Sequence, residues 1–472
     1  MELREEKTVA ALSTAPGAAG LAVIRVSGPD AGKIVARIFD GGRQKPFWEG
    51  PTHRAHHGWI RDGAGQRVDE VLVLWMKGPG TFTGEDTAEI NCHGGPYVSR
   101  KILELLYEAG AEPARPGEFT QRAFMNGKLD LTQAEAVMDV IASETSLSLR
   151  ASVSQLGGSL FEKTEALRSR LMDVMTEAEV NIDYPEYDVP ELSTARLLAV
   201  CSEISQEAEA LYATAETGRL LRQGAKTVIL GAPNVGKSSL LNRLLGQERA
   251  IVTEIPGTTR DTLEETINIG GIPLQVVDTA GIRDTEDRVE KIGVQKARQA
   301  LEDCDLVLLV LDGTRALTDE EDELFEEARK KPFFILINKC DVGTLTPEMV
   351  AERMSKGFPG EISREIICRI LPVSAKEGTG IDDLQKKIQE LLLKGVVVTD
   401  HTPLIMNLRQ KQALRKASDA LKRTLEAGEA GFEQDLLMID IQEAYDALGE
   451  ISGHSVREDM VNEIFSRFCL GK

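Results

Sequence analysis

The sequence predicts an α/β plus α fold made of three parts: an N-terminal α+β domain, a discontinuous helical bundle, and a doubly wound α/β domain inserted into that bundle. Strand-like runs separated by Gly/Pro turns occupy residues 1–120. Helical periodicity fills residues 121–221 and returns over 386–472, while strands and helices alternate between 222 and 385. Because 472 residues exceed what one hydrophobic core supports, we expect about three domains, divided at these positions.

The composition is typical of a globular protein rather than of a membrane or disordered one. Charged residues make up 28% of the chain, and no run approaches the roughly 18 apolar residues that a bilayer span needs. The first residues, MELREEKTVAALSTA, lack the basic-then-apolar order of a signal peptide. Six dispersed cysteines indicate free thiols in a reducing compartment. We therefore expect a cytoplasmic protein with no membrane partner.

The charge of the chain limits how it can meet nucleic acid. The net charge is −21, although residues 1–120 carry 14 basic and 16 acidic residues and are nearly balanced. An acidic chain repels a phosphate backbone on average. Any RNA partner must therefore meet a local basic patch or be held by another protein.

Short periodic segments define the elements of the first two parts. Runs from Leu21 to Val26 and from Val71 to Met76 predict strands, and Ser99 to Ala109 predicts a helix. The Gly- and Pro-free stretch from Ser159 to Tyr184 carries apolar residues at helical spacing, at Leu167, Leu171, Val174, Ala178 and Ile182. Because a single amphipathic helix needs a partner, we expect the two helical stretches to pack together.

In the central part, the sequence predicts alternating strands and helices. Strands are predicted at Thr227–Leu230, Glu265–Ile269, Leu274–Val277, Leu306–Leu311, Phe333–Ile337 and Ile366–Val373, with a helix from Ser238 to Leu245. The second and third of these strands are joined across Gly270-Gly271, which predicts a hairpin. In such a sheet the ligand lies at the carboxyl ends of the strands.

A phosphate-binding loop follows the first of these strands. Gly231-Ala-Pro-Asn-Val-Gly-Lys237-Ser238 fits the spacing G-x-x-x-x-G-K-S between a strand and a helix. The glycines let backbone N–H groups surround phosphates at a helix N-terminus. Lys237 is predicted to neutralise phosphate oxygens, and the Ser238 hydroxyl to ligate Mg²⁺.

Three further motifs stand at strand ends in a fixed order: Asp278-Thr-Ala-Gly281, Asn338-Lys-Cys-Asp341 and Ser374-Ala-Lys376. A carboxylate such as Asp341 accepts both the N1–H and the N2–H₂ donors of guanine, and adenine would leave it unpaired. Four ordered motifs together predict a Ras-like GTPase domain over residues 222–385.

Ile282 departs from the usual GTPase pattern. Small GTPases place a water-orienting Gln after this glycine, and an isoleucine cannot polarise water. Either hydrolysis is slow or another group activates the water. The nearby acids are Asp284, Glu286, Asp287 and Glu290, and their alternative interpretation is a solvated loop.

The chain strongly resembles the tRNA-modification GTPase MnmE (TrmE) family. The resemblance is carried by Gly257-Thr-Thr-Arg-Asp261, Asn234, Gly20-Leu-Ala-Val-Ile-Arg-Val-Ser-Gly28, Phe82-Thr-Gly-Glu-Asp86, His93-Gly-Gly-Pro96, Arg115-Pro-Gly-Glu-Phe119, Lys128-Leu-Asp-Leu131, Gln133-Ala-Glu-Ala136 and the final Cys469-Leu-Gly-Lys472. It implies a folate-binding-like N-terminal domain that dimerises, a discontinuous helical domain and an inserted GTPase domain. It also implies modification of wobble uridine at C5 in certain tRNAs, with the FAD-dependent partner MnmG (GidA) in a heterotetramer and with a tetrahydrofolate derivative as one-carbon donor.

The resemblance assigns roles in GTP hydrolysis by position. It places K⁺ ligands at Asn234, Thr253, Ile255 and Thr258, the second Mg²⁺-side threonine at Thr259, and the acid that orients the attacking water at Glu290. It implies two GTPase domains that approach each other during hydrolysis. The full predicted GTP-binding set is Asn234, Val235, Gly236, Lys237, Ser238, Ser239, Thr253, Glu254, Ile255, Pro256, Gly257, Thr258, Thr259, Asp278, Thr279, Ala280, Gly281, Asn338, Lys339, Asp341, Ser374, Ala375 and Lys376.

The resemblance also joins the two ends of the chain at a folate site. Its predicted ligands are Arg25, Glu85, Lys128 and Lys472, and it gives Cys469 a part in modification. From the residues alone, Arg25 fits an ordinary ion pair within a strand, and Cys469 fits a packing residue after a helix that Ser455 and Glu458 begin as a capping box.

Two other functions remain open from the sequence. A ribosome-assembly GTPase usually carries a second GTPase domain or a basic RNA-binding module, and this sequence shows neither. The sequence does not distinguish a GTP-gated scaffold that only positions the flavoprotein from an enzyme that reacts with the uridine itself, because no nucleophile for uridine is evident.

Three histidines suggest a metal site at first sight. His53, His56 and His57 lack a Cys or carboxylate at ligand spacing, so we interpret them as structural or surface residues.

Overall fold

The computed structural model describes residues 7–42, 46–183, 194–247, 265–276, 301–354 and 366–471. Within them, no helix is long and apolar enough to cross a membrane.

The N-terminal part is a seven-stranded sheet with helices packed against it. Its elements are β1 (Val9–Leu12), β2 (Ala19–Ser27), α1 (Ala31–Ile38), β3 (Phe39–Asp40), β4 (Arg54–Arg61), β5 (Arg67–Met76), β6 (Thr87–Gly94), α2 (Pro96–Glu108), β7 (Glu112–Pro113) and α3 (Glu118–Met125). The strand order is β3-β4-β5-β6-β2-β1-β7, with β7 parallel to β1 and the other pairs antiparallel. Alternate residues of β5 are buried, as a sheet with one covered face requires.

Helices from both sides of the central part pack into one bundle. The first set is α4 (Leu131–Ala142), α5 (Ser146–Leu156), α6 (Ser159–Asp183), α7 (Thr194–Ala213) and α8 (Ala215–Gln223); the second is α13 (Leu408–Glu429), α14 (Gln434–Ser452) and α15 (Glu458–Ser466). One hydrophobic cluster contains Leu167 and Leu171 of α6 together with Leu414 of α13 and Leu448 of α14. The predicted packing of the two stretches is therefore confirmed.

The described elements of the central part are β8 (Ala225–Leu230), α9 (Lys237–Gln247), β9 (Glu265–Ile269), β10 (Ile272–Val276), β11 (Leu306–Asp312), α10 (Asp319–Ala328), β12 (Phe333–Asn338), α11 (Pro347–Met354), β13 (Ile370–Pro372) and α12 (Ile381–Leu393). Their six strands form a sheet in the order β13-β12-β11-β8-β10-β9, parallel except for the β9–β10 hairpin. Each face of the sheet has its own buried cluster. This is the doubly wound arrangement that the sequence predicts.

The β9–β10 hairpin fixes the central sheet to the helical bundle. Gly270 and Gly271 turn the chain with φ of 58° and 87°, which suits a two-residue hairpin turn. The Thr145 Oγ1 hydroxyl donates to the Gly271 carbonyl oxygen at 2.5 Å. A Cβ at Gly271 would lie 2.5 Å from Leu147 Cγ, so only glycine fits against α5.

A buried carboxylate joins the two halves of the bundle. Glu135 on α4, 8% exposed in its side chain, accepts from Arg409 Nε and Nη2, each at 2.8 Å. It also accepts from Asn407 Nδ2 at 2.9 Å and Gln410 Nε2 at 2.8 Å. Arg409 donates onward to the Glu450 and Ile451 carbonyls. The charge is therefore fully hydrogen-bonded, as burial demands.

The C-terminal segment returns to the N-terminal sheet of the same chain. The Gly117 N–H donates to the Cys469 carbonyl at 3.4 Å. A Cβ at Gly471 would lie 2.1 Å from the Leu12 carbonyl oxygen, so the chain end passes closely over β1. Phe465 and Phe468 pack together in a buried cluster with Leu131 of α4.

Two expectations about local structure are wrong. The run from Ile366 to Val373 is a strand only over Ile370–Pro372, because residues 366–368 form a helical turn; a short apolar run does not separate the two by itself. Helix α15 begins at Glu458 with Arg457 as its N-cap, so Ser455 does not form the expected capping box. The Ser455 Oγ instead lies near Gly449. The domain divisions near 120, 221 and 385 stay predictions.

We predict that Glu135→Ala lowers the free energy of unfolding by about 3–5 kcal/mol, because it leaves the Arg409 guanidinium buried without its carboxylate. Glu443→Ala is the matched control, since Glu443 pairs with Arg423 on the exposed surface of the same bundle and such pairs contribute about 0–1 kcal/mol. Urea titration followed by circular dichroism measures both. Equal losses in the free energy of unfolding would mean that the buried Glu135 contacts stabilise the bundle no more than an exposed ion pair does.

Candidate functional site

The loop between β8 and α9 has the backbone geometry of an anion cradle. Gly231 and Gly236 have φ of 153° and 99°, and Asn234 has φ of 61°. A Cβ at Gly231 would lie 2.4 Å from the Val310 carbonyl oxygen, and one at Gly236 would lie 2.2 Å from Asn338 Nδ2. Both glycines are therefore required by conformation and by space. The loop ends at the N-terminus of α9, where backbone N–H groups favour an anion.

The lysine of this loop folds back over it. Lys237 Nζ donates to the Gly231 and Ala232 carbonyl oxygens at 2.7 and 2.9 Å. Burial lowers the pKa of Lys237, and an anion in the cradle would favour the charged form. Ser238 and Ser239 follow in the first turn of α9 and are exposed.

Asn338 connects the phosphate loop to a second loop. It is the last residue of β12 and is 2% exposed. Its Nδ2 donates to the Val235 carbonyl at 2.8 Å, and its Oδ1 accepts from the Ala375 N–H at 3.0 Å. One buried amide therefore sets the spacing between the loop after β8 and the loop after β13.

Lys339 is fixed from two sides. It has φ of 62°, and its Nζ donates to Asp312 Oδ2 at 2.7 Å and to the Asn234 carbonyl at 3.2 Å. Burial alone would raise the pKa of Asp312, but hydrogen bonds from Lys339 and Thr314 hold it at about 2. Asp312 is therefore ionised at neutral pH. Through its contact with the Asn234 carbonyl, Lys339 lies across the mouth of the phosphate loop.

The remaining described residues of the predicted guanine site stand at the same edge of the sheet. Asp341 is exposed, three residues beyond the end of β12. Ser374 is fully buried, and its Oγ accepts from the Glu377 N–H at 3.1 Å. Ala375 is buried beside it, and Lys376 is exposed. An open cleft of about 440 Å³ is lined by Ser239, Asn242, Arg243, Gly246 and Ala375.

Part of the predicted site lies outside the described residues: Thr253, Glu254, Ile255, Pro256, Gly257, Thr258, Thr259, Asp278, Thr279, Ala280, Gly281, Ile282, Asp284, Glu286, Asp287, Glu290 and Lys472.

A second group of predicted residues lies on the N-terminal sheet. Arg25 on β2 donates from Nε and Nη2 to Glu89 Oε1 at 3.0 and 2.8 Å. Its guanidinium carbon lies 5.2 Å from the Phe82 ring centre and 5.5 Å from that of Phe119. The ion pair expected from the residues alone is present, and it stands between two aromatic faces.

Glu85 belongs to a buried charge network. Both of its carboxylate oxygens accept from Arg122 Nη1 at 3.0 Å, and Oε2 accepts from Ser27 Oγ at 2.8 Å. Arg122 also donates to Glu118 Oε1 at 3.0 Å. Burial alone would raise the pKa of Glu118, but the Arg115 backbone N–H and the Arg122 guanidinium hold it below its usual value. Arg122 therefore lies between the Glu85 and Glu118 carboxylates and donates to both.

Lys128 and Cys469 lie near opposite ends of helix α3. Lys128 is exposed and its Nζ donates to the Pro79 carbonyl at 3.1 Å. Cys469 is an exposed free thiol next to the start of α3. The C-terminal segment thus reaches the start of α3, the helix that also carries Arg122.

The histidines have separate surroundings. His56 is buried 5.6 Å from the Phe47 ring centre, and His57 Nε2 pairs with Glu70 Oε1 at 2.8 Å on the exposed face. Among the described ranges, no group of three or more His, Cys, Asp or Glu side chains is arranged to hold a metal ion.

Three polar residues of these sites were missed by the sequence reasoning: Asp312, Arg243 and Arg122. Arg243 donates from Nε to the Ala375 carbonyl at 2.9 Å. Their partners at these sites, Lys339, Glu85 and Lys376, lie 27, 37 and 133 positions away in the chain, and no motif spacing points to them. A cation on the phosphate-loop helix, six residues after Lys237, was the available signal for Arg243.

A glycine-rich turn between a strand and a helix, its lysine, and two loops tied to it by Asn338 define a P-loop GTPase. Two protein-family models match the chain on either side of residue 130. Residues 8–128 match the model of the GTP-binding protein TrmE N-terminus, and residues 131–469 match the MnmE helical domain. The chain belongs to the MnmE family of tRNA modification GTPases.

Two curated relatives are similar to this chain over nearly its full length. The tRNA modification GTPase MnmE of Thermoanaerobacter pseudethanolicus is 44% identical over 98% of this chain and 99% of its own length. That of Lactobacillus delbrueckii subsp. bulgaricus is 45% identical over 100% and 99%, respectively. Among solved structures, a point variant of Aquifex aeolicus Era bound to GDP.AlF4- is 30% identical and covers 42% of this chain and 66% of its own, with a TM-score of 0.28.

We predict that Asn338→Asp destabilises the GTPase part by about 1–3 kcal/mol, because it removes the donor to the buried Val235 carbonyl and places a carboxylate there. Asn242→Asp is the control, since Asn242 is exposed on α9. Thermal melting and urea titration measure both variants. A stable Asn338→Asp protein would mean that the amide bridge is unimportant.

Proposed function

We propose that this tRNA modification GTPase binds GTP with Mg²⁺ at the β8–α9 loop and hydrolyses it with K⁺ stimulation. In the proposal, hydrolysis drives conformational change within a complex that modifies wobble uridine at C5. The complex contains the FAD-dependent MnmG flavoprotein and uses a tetrahydrofolate derivative. The observation that carries the nucleotide site is the Asn338 amide, which links the phosphate loop to the loop at Ala375.

The described residues suit the triphosphate and its magnesium ion. The Lys237 ammonium group neutralises the negative charge of phosphates bound in the loop. It already lies over this loop, where it donates to the Gly231 and Ala232 carbonyls. The Ser238 hydroxyl, in the first turn of α9, is the proposed magnesium ligand, and Thr259 is the proposed second hydroxyl. Magnesium supplies charge neutralisation of the phosphate oxygens during transfer.

The guanine base is read at the opposite end of the same groove. Asp341, exposed after β12, accepts the N1–H and N2–H₂ donors of guanine. The Lys376 backbone N–H is proposed to face the carbonyl at the 6-position, because the Ser374 and Ala375 N–H groups already donate to the Thr379 carbonyl and to Asn338 Oδ1. Adenine carries a donor there and would meet donors, so the pair of loops rejects it.

Potassium is proposed to support GTP hydrolysis in a protein that has Ile282 at the position of the usual water-orienting glutamine. Asn234 is exposed at the phosphate loop, and Lys339 donates to its backbone carbonyl. The side-chain amide oxygen of Asn234 suits a monovalent cation beside the β and γ phosphates, with Thr253, Ile255 and Thr258 as further proposed ligands. Potassium supplies positive charge where other GTPases use an arginine, and Glu290 is proposed to orient the attacking water.

The folate site is proposed beside α3, where the C-terminal segment reaches the N-terminal part. The Glu85 carboxylate, hydrogen-bonded to Arg122, suits the N–H donors of a pterin, and exposed Lys128 suits the anionic glutamate tail. Arg25 and Lys472 are the other proposed ligands, and Cys469 is proposed to act in modification. The pterin would then meet the ring of Phe82, which is 36% exposed.

Assembly is proposed to complete the enzyme. A homodimer through the N-terminal parts would bring two GTPase parts together, and two MnmG subunits would make a heterotetramer. The net charge of −21 supports a division in which the flavoprotein holds much of the tRNA. The alternative is a GTP-gated scaffold that positions the flavoprotein without touching the uridine.

Mass analysis of wobble nucleosides from cells lacking this protein tests the proposed function. We expect the C5-modified uridines to disappear and to return with the wild-type chain. Unchanged uridines would refute the assignment to wobble C5. Restoration by a Cys469→Ala chain that hydrolyses GTP would favour the scaffold alternative.

Base selectivity tests the guanine contact. Asp341→Asn should weaken GTP binding and favour xanthosine triphosphate, because the amide presents a donor to the xanthine C2 carbonyl. Competition against a fluorescent GDP analogue measures both affinities. Full GTP affinity in the variant would remove Asp341 from the base site.

Potassium dependence tests the cation site. GTP turnover should be much faster in KCl than in NaCl at equal ionic strength, with an effect of about 10³–10⁵ as the upper range. Asn234→Ala should abolish the difference between the salts. Equal rates of the wild-type protein in both salts would leave the site without support.

Catalysis and binding are separated at Glu290. Glu290→Ala should lower kcat by orders of magnitude and leave GTP affinity nearly unchanged, since an acid acting through water contributes mainly in the transition state. Glu286→Ala is the control from the same acidic segment. Single-turnover hydrolysis measures both variants. Equal rate constants for Glu290→Ala and Glu286→Ala would mean that Glu290 is an ordinary solvated loop residue.

A further inference from the structure

Arg243 lies on the helix that begins at the phosphate loop and reaches the loop on the base side. It stands in α9, six residues after Lys237. Its Nε donates to the Ala375 carbonyl at 2.9 Å, and its Nη2 donates to the Lys376 carbonyl. Two donors on one edge of a guanidinium thus engage two successive carbonyls.

These contacts complete the support of the 374–378 loop. The Ala375 N–H is held by Asn338, and the Ser374 side chain caps the Glu377 N–H. The Gly378 N–H donates to the Ser374 carbonyl at 2.7 Å. Without Arg243, the carbonyls of Ala375 and Lys376 would lose their side-chain donors, and the loop would be supported only from the β12 side and by its own turn.

We infer that Arg243 is a positioning residue for guanine: it orients the Ser374–Lys376 backbone toward the 6-position of the base and couples that orientation to the helix that holds the phosphates. The inference rests on the proposed guanine site and adds a residue that does not touch the nucleotide. The Ala375 carbonyl and the Lys376 N–H belong to one planar peptide unit, so holding that carbonyl also orients the Lys376 N–H. The next peptide unit, with the Lys376 carbonyl and the Glu377 N–H, is held by Arg243 and Ser374.

The chemistry of arginine explains why this residue type is needed. The guanidinium fork presents Nε–H and Nη2–H in parallel, which matches two carbonyls at fixed spacing. Lysine carries the same charge on a single nitrogen and cannot match both in one fixed geometry. Arg243→Lys therefore separates the geometric role from the charge, and Arg243→Gln keeps one donor without the charge.

The inference predicts a loss that follows the chemistry of the base. In the full-length protein with Mg²⁺, Arg243→Lys should bind GDP and IDP about tenfold more weakly, since both bases carry the 6-carbonyl and two hydrogen bonds are impaired. The affinity for ADP, measured by competition, should stay unchanged. Arg243→Gln should show the same pattern. Lys386→Gln, at an exposed position on α12 outside the cleft, should resemble the wild-type protein.

Two results would overturn the inference. The first is unchanged GDP affinity in Arg243→Lys and Arg243→Gln. The second is an equal loss for GDP and ADP, which would indicate general loosening of the phosphate side. A wild-type protein that does not prefer GDP to ADP would instead refute the proposed guanine site itself, so the two failures are distinguishable.

Discussion

The buried Glu135 carboxylate is the contact on which the architecture depends. Its partners Asn407, Arg409 and Gln410 lie 272 to 275 positions away, on the far side of the whole GTPase part. The contact closes the chain into a loop whose two ends are both in the helical bundle. A GTPase part can then be inserted without separating the halves, and the C-terminal helix is directed back to the N-terminal sheet. Removing one member of such a cluster leaves an uncompensated buried charge, which explains its structural weight.

The same architecture gives the nucleotide site a rigid connection to the bundle. The face of the GTPase sheet that carries Leu274 shares its hydrophobic cluster with Ala151 of α5 and Leu221 of α8. The hairpin turn at Gly271 is hydrogen-bonded to Thr145, and Arg219 pairs with Asp305 at 2.6 Å. A change at the nucleotide therefore meets the bundle through packed side chains rather than through a loose linker.

The sequence predicted what short-range patterns encode. The phosphate loop, the Asn338 and Ser374 motifs and the β9–β10 hairpin each depend on a few consecutive residues, and the structure has them at the expected strand ends. The short run beginning at Ile366 misled because helix and strand patterns are indistinguishable over a few apolar residues. Pairings between distant segments, such as Arg122 with Glu85, carry no local signature. The roles given to Thr253 and Glu290 came from family resemblance and lie outside the described residues.

We propose that the C-terminal segment completes a folate site on the N-terminal part, separate from the nucleotide site, and this is the central claim. Titration of a tetrahydrofolate into the full chain and into a chain without residues 469–472 tests it directly, with GTP turnover measured on the same samples. The account predicts that folate affinity falls at least about tenfold, since a charge-assisted contact is lost, while GTP turnover is unchanged. Equal folate affinity of the two chains would contradict the claim.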